Sequence, residues 1–133
     1  SKSVTFTGAS TLGLSGTNTT WFTTTGEVLV VYLVPFTVLT LAGATATLTL
    51  GVVNSTSLFI ATTTVATTLA TGEFWTENTG GGTAESGVAL PAGLKDIVIS
   101  SDIVSAVATA NITGGTLRMD AYYLPLSSNG ALA

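Results

Sequence analysis

The ionisable side chains of this chain are few, and they limit the chemistry that it can perform. It has seven Asp and Glu, three Lys and Arg, no His and no Cys. Most general bases, activated nucleophiles and transition-metal sites need His or Cys. Carboxylate chemistry stays open, since Glu73 and Glu77 flank Phe74 and Trp75 and a carboxylate pair can line a glycan-binding or hydrolytic groove. The alternative is two solubilising charges beside buried aromatic side chains.

The other candidate ligand sets lack the motif that their chemistry requires. Asp102 and Asp120 offer the oxygen atoms that calcium prefers, but no D-x-D-x-D-G loop contains them. The glycines at 80–82 lack the strand, Lys and helix of a phosphate-binding loop, so they predict a flexible loop. The sequence therefore predicts a protein that is not an enzyme, with no catalytic residue, no metal site and no cofactor.

The composition indicates a protein that contacts other proteins. Hydrophobic residues make up 46% of the chain and charged residues 8%, with a mean hydropathy of +0.63, whereas about 25% charged residues is typical. Charged residues are depleted at the centres of protein interfaces. The net charge of −4 and the absence of a basic cluster argue against nucleic-acid binding.

The densest apolar segment, residues 28–41, predicts a buried strand rather than a membrane span. It contains Pro35 and is shorter than the roughly 20 residues that a transmembrane helix needs, so no membrane partner is expected. Residues 28–34 carry no polar group except the hydroxyl of Tyr32, as in a strand whose two faces are both covered. Pro35 predicts a bend or an edge position, because proline removes a ladder donor.

Two further segments alternate with the period of a half-buried strand. In residues 44–52 the apolar face is Ala46, Leu48 and Leu50, and the opposite face is Thr45, Thr47 and Thr49. In residues 117–124 the first face is Leu117, Met119, Ala121 and Tyr123, and the second is Arg118, Asp120 and Tyr122. Arg118 and Asp120 predict an ion pair, within the sheet or across a subunit boundary.

The pattern as a whole predicts an all-β chain. About eight short strands, with turn signals at intervals of roughly ten residues, are typical of a β-sandwich or a jelly-roll-like single domain of antiparallel strands. The Gly pair in residues 111–116 predicts a hairpin turn. The predicted domain covers residues 26–127, with residues 1–25 as an N-terminal arm or edge segment and residues 128–133 as a C-terminal tail.

Five segments of the chain form an ordered set: GEVLVVYL at 26–33, ATATLTLGVV at 44–53, NSTSLFIATTT at 54–64, GEFW at 72–75 and ITGGTLRMDAYYLPLS at 112–127. Taken in this order, they resemble small all-β virion structural proteins of tailed bacteriophages. The resemblance covers most of the chain from Gly26 onward and includes an aromatic-Pro-Leu-Ser ending.

The resemblance implies a head decoration or cement protein that binds the major capsid protein and stabilises the shell. It implies a homo-oligomer, expected to be a trimer, on the capsid surface of the virion, and in the host cytoplasm during assembly. Residues 1–25 would be an arm that reaches a neighbour. The candidate contact residues are Thr45, Thr47, Thr49, Arg118 and Asp120.

The main alternative is a carbohydrate- or receptor-binding module of a phage tail. Trp75 and Tyr122 are the candidate stacking platforms for a glycan, because sugars pack against exposed aromatic rings. An enzyme and a bacterial surface or pilus-like subunit are further alternatives.

Overall fold

The computed structural model describes residues 1–79 and 81–133, and its regular structure is almost entirely β. The all-β prediction is confirmed. The helical segments among the described residues are α1 (Val65–Thr68) and two 3-10 turns at Ala84–Ser86 and Ala92–Leu94, and none is long enough or apolar enough to span a membrane. The strands are β1 (Lys2–Thr5), β2 (Asn18–Phe22), β3 (Thr24–Thr25), β4 (Val28–Ala42), β5 (Thr47–Val52), β6 (Ser55–Thr64), β7 (Lys95–Ile99), β8 (Ile103–Ala108), β9 (Gly114–Pro125) and β10 (Ala131–Leu132).

Eight of these strands form two four-stranded antiparallel sheets. The first sheet has the order β1-β9-β4-β7, and the second has the order β2-β8-β5-β6. Apart from the β5–β6 hairpin, consecutive strands of this set lie in different sheets. The remaining two strands, β3 and β10, pair with each other.

The inner faces of the two sheets share one hydrophobic core, so the domain is a sandwich. The alternation predicted for β5 and β9 is confirmed: Leu48, Leu50, Leu117 and Met119 are buried in this core, and Ala121 and Tyr123 are partly buried against it. Two tryptophans are fully buried, and each donates its indole N–H to a hydroxyl. Trp21 bonds Ser105 Oγ at 2.9 Å, and Trp75 bonds Thr63 Oγ1 at 2.9 Å.

Pro35 lies inside the long strand β4, where its missing N–H removes no bond to β9. Pro35 pairs with Met119 of β9, and its carbonyl oxygen accepts a hydrogen bond from the backbone N–H of Trp75 at 3.0 Å. The N and O of one strand residue point to the same side, so the prolyl nitrogen faces away from β9. On that side β7 has already ended, at Lys95 opposite Tyr32. The proline therefore lies beyond the end of β7, where residues 73–75 bond this side of β4.

Both chain ends are part of the sheets. Strands β1 and β2 are edge strands, one in each sheet, and Phe6 and Trp21 are buried in the core. Residues 1–25 therefore follow the edge-segment alternative, and the expectation of a projecting arm is wrong, because these aromatic anchors fix the Thr-rich segment to the sandwich. Residues 128–133 are not a free tail, since β10 pairs with β3 and Ala133 exchanges two backbone hydrogen bonds with Thr23.

Residues 111–116 connect the two sheets and do not form the predicted hairpin. Strand β8 belongs to the second sheet, whereas β9 belongs to the first. Gly115 has a φ of +99°, and a Cβ at this position would lie 2.5 Å from the carbonyl oxygen of Thr40. The glycine is needed for a close approach to β4, so the Gly pair has a different role from the one its sequence suggests.

Candidate functional site

The outer face of the first sheet is apolar and exposed to solvent. The registers of β4 with β9 and of β4 with β7 place its side chains next to one another on the side away from the core. We call this surface the apolar face. It consists of Leu29, Tyr32, Phe36, Leu39, Val98, Tyr122 and Leu124.

Two tyrosines lie near the middle of the apolar face. Tyr32 of β4 pairs with Tyr122 of β9, and their rings stack with centroids 5.6 Å apart and planes 15° apart. Tyr32 is 39% exposed and Tyr122 is 51% exposed, so their packing in the chain leaves much of both rings in water. Contiguous exposed apolar patches mark contact sites for proteins or ligands.

One ion pair lies within the apolar face. Arg118 Nε donates to Asp120 Oδ2 at 3.0 Å, and the guanidinium group lies over the ring of Phe36 at 4.8 Å. The two side chains are 41% and 33% exposed, and pairs this exposed contribute little to stability. The predicted pair therefore exists within one chain, on the same face as Tyr122.

Thr45, Thr47 and Thr49 belong to the outer surface of the second sheet, on the opposite side of the sandwich from Arg118 and Asp120. Thr45 is exposed, and Thr47 and Thr49 are half-buried. The hydroxyl of Thr47 donates to the carbonyl oxygen of Ala108 at 3.3 Å. We call these three residues the threonine face. The structure therefore divides the predicted contact residues between two surfaces.

Trp75 is not available as a stacking platform, so that part of the glycan prediction is wrong. Its side chain is fully buried, with the indole N–H bonded to Thr63. The segment around it is held against β4. The backbone N–H of Trp75 donates to the carbonyl oxygen of Pro35, and Phe74 forms an antiparallel β-bridge with Phe36. Tyr122 is the candidate that remains exposed.

A separate cleft contains the two carboxylates that flank Trp75. Its volume is about 560 Å³, within the range of roughly 300–1,000 Å³ that ligand sites occupy. Thr79 Oγ1 donates to Glu77 Oε1 at 3.1 Å on one wall. We call this the acidic cleft. Its lining residues are Thr68, Glu73, Thr76, Glu77, Thr79, Gly81, Gly82, Ala89, Leu90 and Pro91.

Glu73 and Glu77 both line the acidic cleft. Within residues 1–79 and 81–133 no three His, Cys, Asp or Glu side chains are grouped so that they could hold a metal ion. The predicted flexible loop at 80–82 includes Gly80, which lies outside the described residues.

Sequence reasoning missed the part that Tyr32 plays in the apolar face. The neighbouring residues are apolar at every position, so alternation does not show whether Tyr32 faces the core or the solvent. A register shift between Val30 and Tyr32 turns Tyr32 to the outer face, although Val30 faces the core. The one signal available was the single hydroxyl in that run.

The chain matches no family model, no curated protein and no solved structure.

Proposed function

We propose that this protein is a non-enzymatic virion structural protein of a tailed bacteriophage, a decoration or cement protein that binds the head shell and stabilises it. The observation that carries the proposal is the distribution of charge. All four Glu residues lie outside the strands, the threonine face has no charged residue, and the charges on the outer face of the first sheet are the Arg118–Asp120 pair and Lys95, which lies opposite Tyr32. Two broad faces with so little charge suit contacts with other proteins.

The strand order supports the same proposal at the level of architecture. From eight strands in two sheets, with orders β1-β9-β4-β7 and β2-β8-β5-β6, we infer a jelly roll. Jelly rolls occur in viral capsid and lectin domains. A fold alone does not determine function, so the decoration role rests on the resemblance to phage virion proteins and on the two faces.

The two faces suit two partners. We assign the contact with the major capsid protein to the threonine face, which can pack against a shell without burying a charge. The apolar face is assigned to contacts between copies of this protein. The location that follows is the capsid surface of the virion, with the host cytoplasm during assembly.

The test is addition of the purified protein to phage capsids that lack it, followed by sedimentation. Wild-type protein is expected to sediment with the capsids at a fixed ratio and to raise the temperature at which they disrupt. Thr47→Glu places a charge on the threonine face and is expected to reduce binding, whereas Ser86→Glu places the same charge in the exposed 3-10 turn Ala84–Ser86 and should leave binding unchanged. No sedimentation of folded wild-type protein with the capsids overturns the proposal.

Glycan binding is the second candidate, and the acidic cleft favours it. Carboxylates and threonine hydroxyls are suitable partners for sugar hydroxyl groups, and the cleft has the volume of a small-ligand site. The test is a glycan array with wild-type protein, Glu77→Gln and Glu85→Gln. A hit that Glu77→Gln removes and Glu85→Gln retains supports the cleft, and an array without hits rejects this candidate.

A further inference from the structure

Arg118 and Asp120 both have hydrogen-bonding capacity that the chain does not use. Arg has five N–H donors, and among the described residues only Nε of Arg118 has a partner. Its four terminal N–H groups make no hydrogen bond to the described residues, and Asp120 bonds through Oδ2 alone. Both groups are partly exposed within the apolar face. A guanidinium group with free terminal nitrogens is suited to a second carboxylate.

The spacing of these two residues makes the apolar face complementary to itself. They lie two positions apart on β9, on the same side of the strand. Consider a two-fold axis that lies in the plane of the interface, perpendicular to β9, and passes over Met119. This axis places residue 118 of one copy over residue 120 of the other. The same axis creates the reciprocal contact, as a two-fold interface requires.

The apolar residues also match under this axis. Tyr122 of one copy lies over Thr116 of the other, because both are three positions from Met119. Thr116 pairs with Leu39 and Tyr122 pairs with Tyr32, so the stacked tyrosines of one copy meet Leu39 of the other. Leu39 is 57% exposed in the single chain, and this contact covers it.

Net charge favours this face over other surfaces for self-association. Each copy has a net charge of −4, so two copies repel each other at long range. On the outer face of the first sheet Arg118 and Asp120 balance each other, and Lys95, opposite Tyr32 at the end of β7, adds one positive charge. The acidic cleft has two carboxylates and no Lys or Arg in its lining. Like charges facing each other are costly, so the face that carries both signs is more favourable for self-association than the cleft.

We propose that two copies of this protein pair through the apolar face, with Arg118 of each copy bound to Asp120 of the other. This inference names one partner within the proposed function and rests on that function for its role in the virion. A self-complementary face closes after two copies, so the unit in solution is a dimer, in place of the trimer that the resemblance implies.

A charge exchange tests the pairing directly. Arg118→Asp gives a chain with two acids at these positions, and Asp120→Arg gives a chain with two arginines. Each variant alone brings like charges together across the axis, and we expect dimer affinity to fall by about tenfold or more. An equimolar mixture brings opposite charges together and is expected to restore a dimer of one copy of each variant.

Sedimentation equilibrium measures these masses against the 13.3 kDa of one chain. Tyr122→Ser should weaken the dimer without changing charge, and Thr47→Asp on the opposite face should leave it intact. Circular dichroism of every variant controls for folding. The pairing is overturned by any of three results: a wild-type protein that is monomeric at tens of micromolar, a wild-type mass three times that of one chain, or a mixture of the two charge variants that fails to restore the dimer.

The capsid experiment separates this inference from the proposed function. A monomer that still binds capsids, and loses binding on Tyr122→Ser, assigns the apolar face to the shell, which overturns the pairing and keeps the decoration role. A dimer that follows the charge-exchange pattern but ignores capsids overturns the decoration role and keeps the pairing.

Discussion

The core contains two fully buried threonines whose hydroxyls have opposite environments. Thr63 Oγ1 accepts the indole N–H of Trp75 at 2.9 Å and donates to the carbonyl oxygen of Ala61 at 3.0 Å. Thr37 is 0% exposed, and its hydroxyl has no hydrogen-bond partner in the part of the chain that the structure describes. Valine keeps the shape of threonine and lacks the hydroxyl. We therefore expect Thr→Val at these two positions to change the free energy of unfolding in opposite directions.

The magnitudes follow from the groups that each change leaves behind. Thr63→Val leaves a buried indole N–H without an acceptor, which costs about 1–3 kcal/mol. Thr37→Val removes a buried hydroxyl that has no partner, and the cost of burying such a group is about 1–3 kcal/mol in protein mutants, so we expect a gain of about 1 kcal/mol. In a domain of this size each kcal/mol shifts Tm by roughly 3–4 °C.

Urea unfolding followed by tryptophan fluorescence provides the measurement. Both variants should keep the wild-type m-value, so that a change in the midpoint reports stability. The midpoint of Thr63→Val should fall and that of Thr37→Val should rise. Equal losses for both variants would refute the reasoning, because they would show that the hydroxyl of Thr37 is as well bonded as that of Thr63.

Two other predictions use the same urea assay. Gly51→Ala puts a methyl group against backbone atoms of Ser55, Thr56 and Leu58 and should cost about 3 kcal/mol or more. Gly72→Ala, with open space around it but a φ of +87°, should cost about 1–2 kcal/mol, and equal effects would count against the packing argument. Phe6→Ala should cost about 3–5 kcal/mol and the exposed Leu12→Ala almost nothing, and an unchanged midpoint for Phe6→Ala would restore the projecting arm.

The features that follow a local period could be predicted from the sequence. The alternation in β9 placed Arg118, Asp120 and Tyr122 on one side, because neighbouring strand residues point to opposite faces whatever their partner strands are. The same rule placed Leu48 inward and Thr47 outward in β5. These predictions needed no knowledge of which strands pair.

The features that depend on distant contacts could not be predicted. The Gly pair at 114–115 has the local signature of a hairpin, but the strands on either side of it find partners far away in the chain, and Gly115 serves a contact with Thr40. Trp75 stands in a polar, Thr-rich segment, and only its packing against β4 buries it. Phe6 is buried for the same kind of reason.

The interleaving of strands from both ends of the chain affects how the protein folds. Lys2 pairs with Met119 and Asn18 pairs with Ala106, so both sheets lack an inner strand until β8 and β9 have been synthesised. The apolar β4 must therefore leave the ribosome long before β9 can cover one of its edges. Topologies dominated by such distant pairings fold slowly, in about milliseconds to seconds, and their unpaired strand edges are open to aggregation meanwhile. Completion of β9 is the event after which a growing chain can form the first sheet, and a chaperone that shields β4 until then would raise the yield of folded protein.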